Sequence, residues 1–178
     1  MNSVINLLSE PEVNLTKNHI NYLISNNIVR KQIDESSLFK GCHEIYADPV
    51  TENLLTYCQP KIEEAYGKPL FPTYSFWRVY YKGQSCPPHK DRPSCEVSVT
   101  LNLGGDENGW SFFAEESKYD LKLGEGLLYK GCDQEHWRNS LDYEYHMQVF
   151  LHYIEQNGQF DPHFKFDRRQ GLYGPSVA

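Results

Sequence analysis

Residues 95–103 read CEVSVTLNL, a run in which apolar and polar side chains alternate. Alternation with a period of two is the pattern of a β-strand, because successive side chains point to opposite faces. The polar row consists of Glu96, Ser98, Thr100 and Asn102. It either faces solvent, as in an ordinary half-buried strand, or lines a polar cavity. The run predicts that the second half of the chain is built on a sheet.

Further short runs with β-strand composition surround this one, at residues 73–82, 110–114, 121–123, 126–129 and 145–153. Turn signals such as Gly104-Gly105 and Asn108-Gly109 separate them. No helical pattern lies between the runs, so an antiparallel sandwich or barrel is expected.

The first third of the chain predicts a helix capped by Thr16, because a stripe with helical spacing follows it. The apolar residues of that stripe are Ile20, Leu23, Ile24 and Ile28. We expect this helix to pack against one sheet.

A second helix is predicted to begin at Asp48, since an N-cap residue is followed there by a proline at the first helical position. Its apolar stripe ends before Gly67, and Pro60 is expected to kink or split it.

The length of 178 residues predicts one domain. Within it we expect a helical part over residues 1–70, a β core over 71–155 and an irregular tail over 156–178. The net charge of −7 disfavours a nucleic-acid partner. No run approaches the ~20 apolar residues of a membrane span, and no signal peptide is visible at the start, so we expect a cytoplasmic protein without a membrane partner. Five cysteines without a C-x-x-C pair predict reduced thiols.

The candidate chemistry begins at His89 and Asp91, which are two residues apart and share a face of an extended chain. His136 follows 45 residues after Asp91, far enough along the chain for a small sheet to return to the same place. Two imidazoles and one carboxylate can bind one face of a divalent metal and leave open positions, as in non-haem Fe(II) oxygenases. The plainer alternatives are a surface turn beside Pro88 and a core histidine beside Trp137.

This arrangement resembles the 2-oxoglutarate and Fe(II)-dependent dioxygenases, in particular their prolyl 4-hydroxylase-like branch. The resemblance spans residues 73–153 and rests on Tyr80-Tyr81-Lys82-Gly83-Gln84, His89-x-Asp91, the strand over 96–103, Leu123-Gly124-Glu125-Gly126 and His136. It implies a double-stranded β-helix, a jelly-roll variant, with the early helices on one sheet. It also implies Fe(II) bound by His89, Asp91 and His136, with 2-oxoglutarate and O2 as cosubstrates.

The resemblance further assigns Tyr80 to the 2-oxoglutarate carboxylate, but it leaves the cationic anchor open. Where prolyl hydroxylases have a lysine ten residues after the second histidine, this chain has His146. A buried carboxylate needs a cation or several donors. The candidates, in order of preference, are Arg138, His146 and Arg78, which shares a strand face with Tyr80.

The predicted activity is hydroxylation of a prolyl or other amino-acid residue in a peptide or protein. Three alternatives stay open: a hydroxylase of a small molecule or free amino acid, a jelly-roll metal enzyme that does not use 2-oxoglutarate, and a non-catalytic β-sandwich binding module. Nothing in the sequence predicts the oligomeric state.

Overall fold

The computed structural model describes residues 2–34, 39–106 and 109–172. Asn108 of the predicted turn and residues 173–178 of the predicted tail lie outside these ranges. The described chain is mainly β, with two helices and antiparallel sheets. The helices are α1 (Glu10–Ser25) and α2 (Pro49–Tyr66), and short 3-10 helices cover Pro93–Cys95 and Lys165–Arg168. The strands are β1 (Ser3–Asn6), β2 (His43–Tyr46), β3 (Leu70–Tyr81), β4 (Cys86–His89), β5 (Val97–Gly105), β6 (Phe112–Ala114), β7 (Ser117–Tyr119), β8 (Glu125–Tyr129), β9 (His136–Arg138) and β10 (Tyr145–Glu155).

The ten strands form two sheets. The larger has the order β1-β8-β5-β10-β3-β2, and the smaller has the order β4-β9-β6-β7. The long strands β3 and β10 pair in the middle of the larger sheet, with Tyr80 opposite His146. The smaller sheet pairs β4 with β9 and thereby sets His89 opposite His136.

Strand β5 is buried on both faces. Its apolar row, which includes Val97, Val99 and Leu101, joins the main core with the buried side chains of both helices. Its polar side chains Ser98 and Thr100 are also fully buried. The solvent-facing alternative for the polar row is therefore wrong, because these hydroxyls find hydrogen-bond partners inside the molecule.

Helix α1 begins earlier than predicted. Ser9 is its N-cap, and both the backbone N–H and the hydroxyl of Ser9 donate to the carboxylate of Glu12 at 2.6 Å. Thr16 lies inside the helix, where its hydroxyl donates to the Glu12 carbonyl. The prediction that Thr16 caps α1 is wrong, since the Ser-x-x-Glu capping box at Ser9 already begins the helix.

Helix α2 has the predicted ends. The Asp48 carboxylate accepts from the N–H groups of Val50 and Thr51, and Gly67 closes the helix in the left-handed conformation at φ 82°. The helix is not split at Pro60, since α2 continues without interruption from Pro49 to Tyr66. Buried side chains on both sides of the proline, Cys58 and Ile62, hold this face in the core.

Five of the six predicted strands are present with shifted ends. The exception is 121–123, which leads into a turn, where the Leu121 carbonyl accepts from the Asn102 side chain at 2.9 Å. Five short strands (β1, β2, β4, β7 and β9) were not predicted.

The tail after Gln156 is irregular over its described part, apart from one 3-10 helix. It is not confined to the surface, because Arg169 is buried against Glu52 of α2.

None of the described helices combines the length and the apolar character needed to cross a membrane.

Candidate metal centre

The structure brings together the three residues predicted to bind a metal. His89 ends β4, Asp91 follows two residues later, and His136 begins β9. Asp91 Oδ1 lies 3.6 Å from His89 Nε2 and 3.5 Å from His136 Nε2. One ligand atom from each residue can be chosen so that all three lie within 4.8 Å of one another.

Both imidazoles are oriented by the same local contact. His89 Nδ1 lies 2.8 Å from the Pro87 carbonyl, and His136 Nδ1 lies 3.0 Å from the Gln134 carbonyl. A carbonyl can only accept, so each Nδ1 carries the hydrogen, and in the neutral ring each Nε2 has a free lone pair. This is the tautomer in which a histidine binds a metal through Nε2.

The loop that follows β8 and the hydroxyl of Ser98 on β5 both hold Asp91 in place. Its backbone N–H donates to the Gly131 carbonyl at 2.9 Å, and its Oδ2 accepts from the Ser98 hydroxyl at 3.3 Å. A Cβ on residue 131 would lie 2.5 Å from Asp91 Oδ2. The absence of a side chain at Gly131 therefore allows the carboxylate to occupy this position.

The charges favour a cation between these side chains. The Asp91 carboxylate, whose Oδ1 lies 3.6 Å from His89 Nε2, favours a positive charge there and raises the pKa of His89 to about 10. Burial opposes ionisation of Asp91, but the adjacent imidazoles of His136 and His89 keep its pKa well below the usual value. Two imidazole nitrogens and one carboxylate oxygen, converging from one side, fit a divalent first-row metal with open positions.

The three side chains lie in a cavity of about 220 Å³ between the two sheets. Its lining is Phe39, Tyr74, Phe76, Arg78, Tyr80, Cys86, His89, Asp91, Phe112, Tyr129, His136, Arg138, Phe150 and His152. The rings of Tyr129 and Phe112 pack against His136, with centroid distances of 4.8 and 5.7 Å. The candidate metal position therefore has an aromatic wall.

Arg138 is the most deeply placed cation of the cavity. It lies on the same face of β9 as His136, is 3% exposed, and packs between Trp110 and Phe112. Its guanidinium donates to the Trp110 carbonyl and to the Thr100 hydroxyl. Within the described part of the chain it has no carboxylate partner. Burial, which opposes the charged form, lowers its pKa.

Arg78 lines the same cavity but already has an acidic partner. Its Nε donates to Glu44 Oε2 at 2.6 Å, and the guanidinium stacks on Phe39 at 3.5 Å. Its Nη1 donates to the Tyr80 hydroxyl at 3.2 Å. Burial raises the pKa of Tyr80 to about 12, so this hydroxyl keeps its proton and can donate it to an acceptor.

His146 does not belong to the described lining of the cavity. Burial and the nearby Arg138 charge lower its pKa to about 3. The ring is therefore neutral, and its hydrogen-bond partners are Gln148 and Tyr143. The protonated form that an anchoring role was expected to need is strongly disfavoured here.

Several residues of the site were missed by sequence reasoning. His152, which the sequence analysis did not single out, lines the cavity, and its Nδ1 lies 2.9 Å from the Ser98 hydroxyl. Burial lowers the pKa of His152 to about 4. Its position six residues after His146 on the predicted last strand places both side chains on one face, and this was the available signal. No comparable signal pointed to Tyr129 or Phe112, whereas Ser98 belongs to the polar row of the strand over residues 95–103.

A second possible ligand group lies beside the first, because Cys95 lies within 4.8 Å of ligand atoms of Asp91 and His152. Burial raises the pKa of Cys95 well above its usual value. Its thiol is therefore protonated, and it lies 3.1 Å from the Tyr74 hydroxyl. All five cysteines are free.

Comparisons with known proteins give matches at the level of structure. No family model and no curated protein matches the sequence. Among solved structures, the 2-oxoglutarate-dependent epimerase SnoN from nogalamycin biosynthesis is similar with a TM-score of 0.68 and 11% identity, over 86% of this chain and 78% of that one. A prolyl 4-hydroxylase from Pseudomonas putida gives a TM-score of 0.65 and 12% identity, over 87% and 92%. The collagen prolyl hydroxylase of Paramecium Bursaria Chlorella virus-1, in its 2-oxoglutarate complex, has a TM-score of 0.62 and 13% identity, over 87% of this chain and 96% of that one.

The chain has the fold of these oxygenases. The resemblance found in the sequence is thus confirmed for the fold, and it covers far more of the chain than residues 73–153. The similar solved structures include prolyl hydroxylases, an epimerase from nogalamycin biosynthesis and HygX with hygromycin B bound. The shared fold therefore does not select a substrate class.

Proposed function

We propose that this protein is an Fe(II)- and 2-oxoglutarate-dependent oxygenase built on a double-stranded β-helix, the jelly-roll variant of this class. The proposal rests on one observation above all. The two histidine Nε2 atoms lie 3.5 and 3.6 Å from one carboxylate oxygen, inside a cavity that also contains a buried arginine without an acidic partner among the described residues. The architecture of two antiparallel sheets around this cavity supports it.

In this proposal His89, Asp91 and His136 hold the iron, and Arg138 holds the distal carboxylate of 2-oxoglutarate. Arg138 is preferred to Arg78 because Arg78 is already paired with Glu44. Tyr80 donates its hydroxyl hydrogen to the same carboxylate. With 2-oxoglutarate and O2, bound iron supplies the oxidising chemistry that hydroxylates an unactivated C–H bond. The rings of Phe112 and Tyr129 keep water away from this side of the centre.

The substrate we favour is a prolyl or other amino-acid residue of a peptide or protein. The cavity of about 220 Å³ is smaller than the roughly 300–1,000 Å³ of pockets that enclose a drug-sized ligand. Once 2-oxoglutarate is bound, little room is left for more than the reacting group. A substrate whose bulk remains outside and whose side chain enters fits this geometry better than an enclosed small molecule.

Anaerobic titration with Fe(II) and 2-oxoglutarate tests the proposal. We expect a weak visible charge-transfer band from the iron chelate, and succinate release when O2 is admitted. His89→Ala and Asp91→Ala should lose the band while the far-UV circular dichroism spectrum stays the same. His163→Ala, which changes an exposed histidine, is the matched control and should keep it.

The two alternatives that do not use 2-oxoglutarate each have their own result. Bound iron without a band or succinate would indicate a metal enzyme that does not use 2-oxoglutarate. Failure of the wild-type protein to bind Fe(II), Mn(II) or Zn(II) would indicate a non-catalytic module.

A further inference from the structure

The C-terminal segment of the chain returns to the turn that carries Asp91. Asp167, in the 3-10 helix Lys165–Arg168, accepts hydrogen bonds from both terminal nitrogens of Arg92 at 2.7 Å. It also accepts from the Ser94 hydroxyl at 2.5 Å and from the Tyr46 hydroxyl at 2.5 Å. One carboxylate thus connects the turn after Asp91 to strand β2. The Asp167 side chain is only 9% exposed, whereas the Arg92 side chain is 51% exposed.

Arg92 directly follows Asp91, and its other contacts lead into the cavity. Its guanidinium lies over the ring of Tyr74 at 4.6 Å, and Tyr74 lines the cavity. The Arg92 carbonyl accepts from the Cys95 N–H at 2.9 Å and from the Cys132 thiol at 3.0 Å. Both the side chain and the backbone of Arg92 are therefore fixed, which limits the directions that the preceding Asp91 side chain can take.

The C-terminal segment also contacts the rest of the molecule through residues that do not belong to this turn. Arg169 donates to the Glu52 carboxylate at 2.9 Å and to the Thr73 carbonyl at 2.8 Å. Phe166, Asp167 and Arg168 all have positive φ, between 51° and 65°, although none is glycine. Such a backbone persists only where surrounding contacts determine it. The four hydrogen bonds of Asp167 and the Arg169–Glu52 pair supply those contacts.

We infer that Asp167 is a positioning residue for the metal centre: through Arg92 and Ser94 it holds the turn that presents Asp91 to the metal. This inference rests on the proposed function. It assigns to the C-terminal segment a role in metal affinity, besides its contribution to the stability of the fold. Partners behind a metal ligand typically change affinity by about 10–100-fold when they are removed.

Anaerobic Co(II) titration, followed by visible absorption, tests the inference with a signal that does not depend on turnover. We expect Asp167→Ala to raise the Co(II) dissociation constant at least about 10-fold and to shift the ligand-field bands. Asp167→Asn should show a smaller rise, because an amide oxygen still accepts one of the Arg92 hydrogen bonds. Thermal unfolding of the metal-free variants reports the purely structural effect.

Asp120, which has the same kinds of partner but is 64% exposed, provides a control away from the site. Like Asp167, it accepts from a serine hydroxyl, that of Ser111, and pairs with a cation, Lys118. Asp120→Ala should leave Co(II) affinity and spectrum unchanged. If Asp167→Ala does not fold, Asp167→Asn and Ser94→Ala carry the test.

The results separate the inference from the function on which it rests. Wild-type protein that binds no Co(II) or Fe(II) would refute the proposed function itself. Wild-type binding, with Asp167 variants within twofold of it and unshifted bands, would refute only the positioning role.

Discussion

At the scale of single residues, the absence of a side chain at Gly131 determines where the Asp91 carboxylate can lie. A Cβ there would lie 2.5 Å from Asp91 Oδ2, 2.5 Å from the Cys95 carbonyl oxygen and 2.5 Å from the Ser98 hydroxyl. The fixed neighbours leave no direction in which the new methyl group could move. The site therefore depends on a glycine that is not itself a ligand.

Gly131→Ala should lower stability by about 1–3 kcal/mol, the usual cost of overpacking. It should also weaken Co(II) binding by at least about 10-fold, since Asp91 must move. Gly109→Ala is the control, because a Cβ at Gly109 meets nothing within 4 Å. Calorimetry and Co(II) titration measure the two effects. Unchanged Co(II) affinity in Gly131→Ala would contradict this prediction, because Asp91 would then bind the metal equally well after it has moved.

Arg138 is tested by replacement with a side chain of similar size and no charge. Arg138→Met should raise the KM for 2-oxoglutarate by about 10–100-fold, because hydrogen bonds to a charged group contribute roughly 1.5–3 kcal/mol. Succinate formation at varied 2-oxoglutarate concentration measures it, with the exposed Arg30→Met as control. A larger rise in Arg78→Met than in Arg138→Met would assign the anchor to Arg78.

Because His146 is buried in its neutral form, we expect the stability of the protein to depend on pH. Burial and the Arg138 charge lower its pKa from 6.5 to about 3. Between these values the unfolded chain binds a proton that the folded chain does not bind. Stability should therefore fall as the pH drops from about 6.5 towards 3, at up to about 1.4 kcal/mol per pH unit from this group.

Urea unfolding at several pH values checks this contribution. His146→Gln should lose stability less steeply than wild type over that range, whereas replacement of the exposed His163 should leave the slope unchanged. Parallel curves for wild type and His146→Gln would contradict the account of His146 as a neutral buried side chain.

At the scale of the elements, the ion pair between α2 and the C-terminal segment makes a separate prediction. Glu52 is 0% exposed and Arg169 is 4% exposed. Removing one member of a buried pair leaves the other charge uncompensated, which typically costs about 3–5 kcal/mol. We therefore expect Arg169→Met to be strongly destabilising.

The double variant E52Q/R169M should recover much of this loss. Its glutamine carbonyl can still accept from the Ser75 N–H, as the Glu52 carboxylate does at 2.9 Å. Glu144→Gln, which breaks the exposed pair with Lys82, should change the unfolding free energy by less than about 1 kcal/mol. A double variant as unstable as Arg169→Met alone would contradict this explanation.

The elements also show which parts of the fold sequence patterns can predict. Strand β5 and helix α2 were predictable because alternation, an Asp-Pro start and a Gly end are local signals. The start of α1 was local as well, but the capping box at Ser9 was overlooked in favour of Thr16. Strands such as β4 and β9 have three or four residues, too few for a period to show. They exist because β4 pairs with β9 and β9 pairs with β6, across long separations in the sequence.

At the scale of the whole molecule, the metal-binding candidates were predictable and the cosubstrate anchor was not. His89 and Asp91 are close in sequence, and His136 has a spacing typical of a known fold. Choosing between Arg138 and Arg78 required knowing which guanidinium already has an acidic partner. That partner, Glu44, lies on a strand that no pattern predicted. Asp167 and Arg92 are 75 residues apart in the sequence, so no local pattern could predict their hydrogen bonds.

The most direct test of the central claim is oxygen-dependent formation of succinate from 2-oxoglutarate by the iron-loaded protein. We expect the wild type to release succinate slowly without added substrate, and Asp91→Ala to release none while remaining folded. Equal succinate from the two proteins, or none from wild type with iron bound at this site, would contradict the assignment of the centre as a 2-oxoglutarate oxygenase.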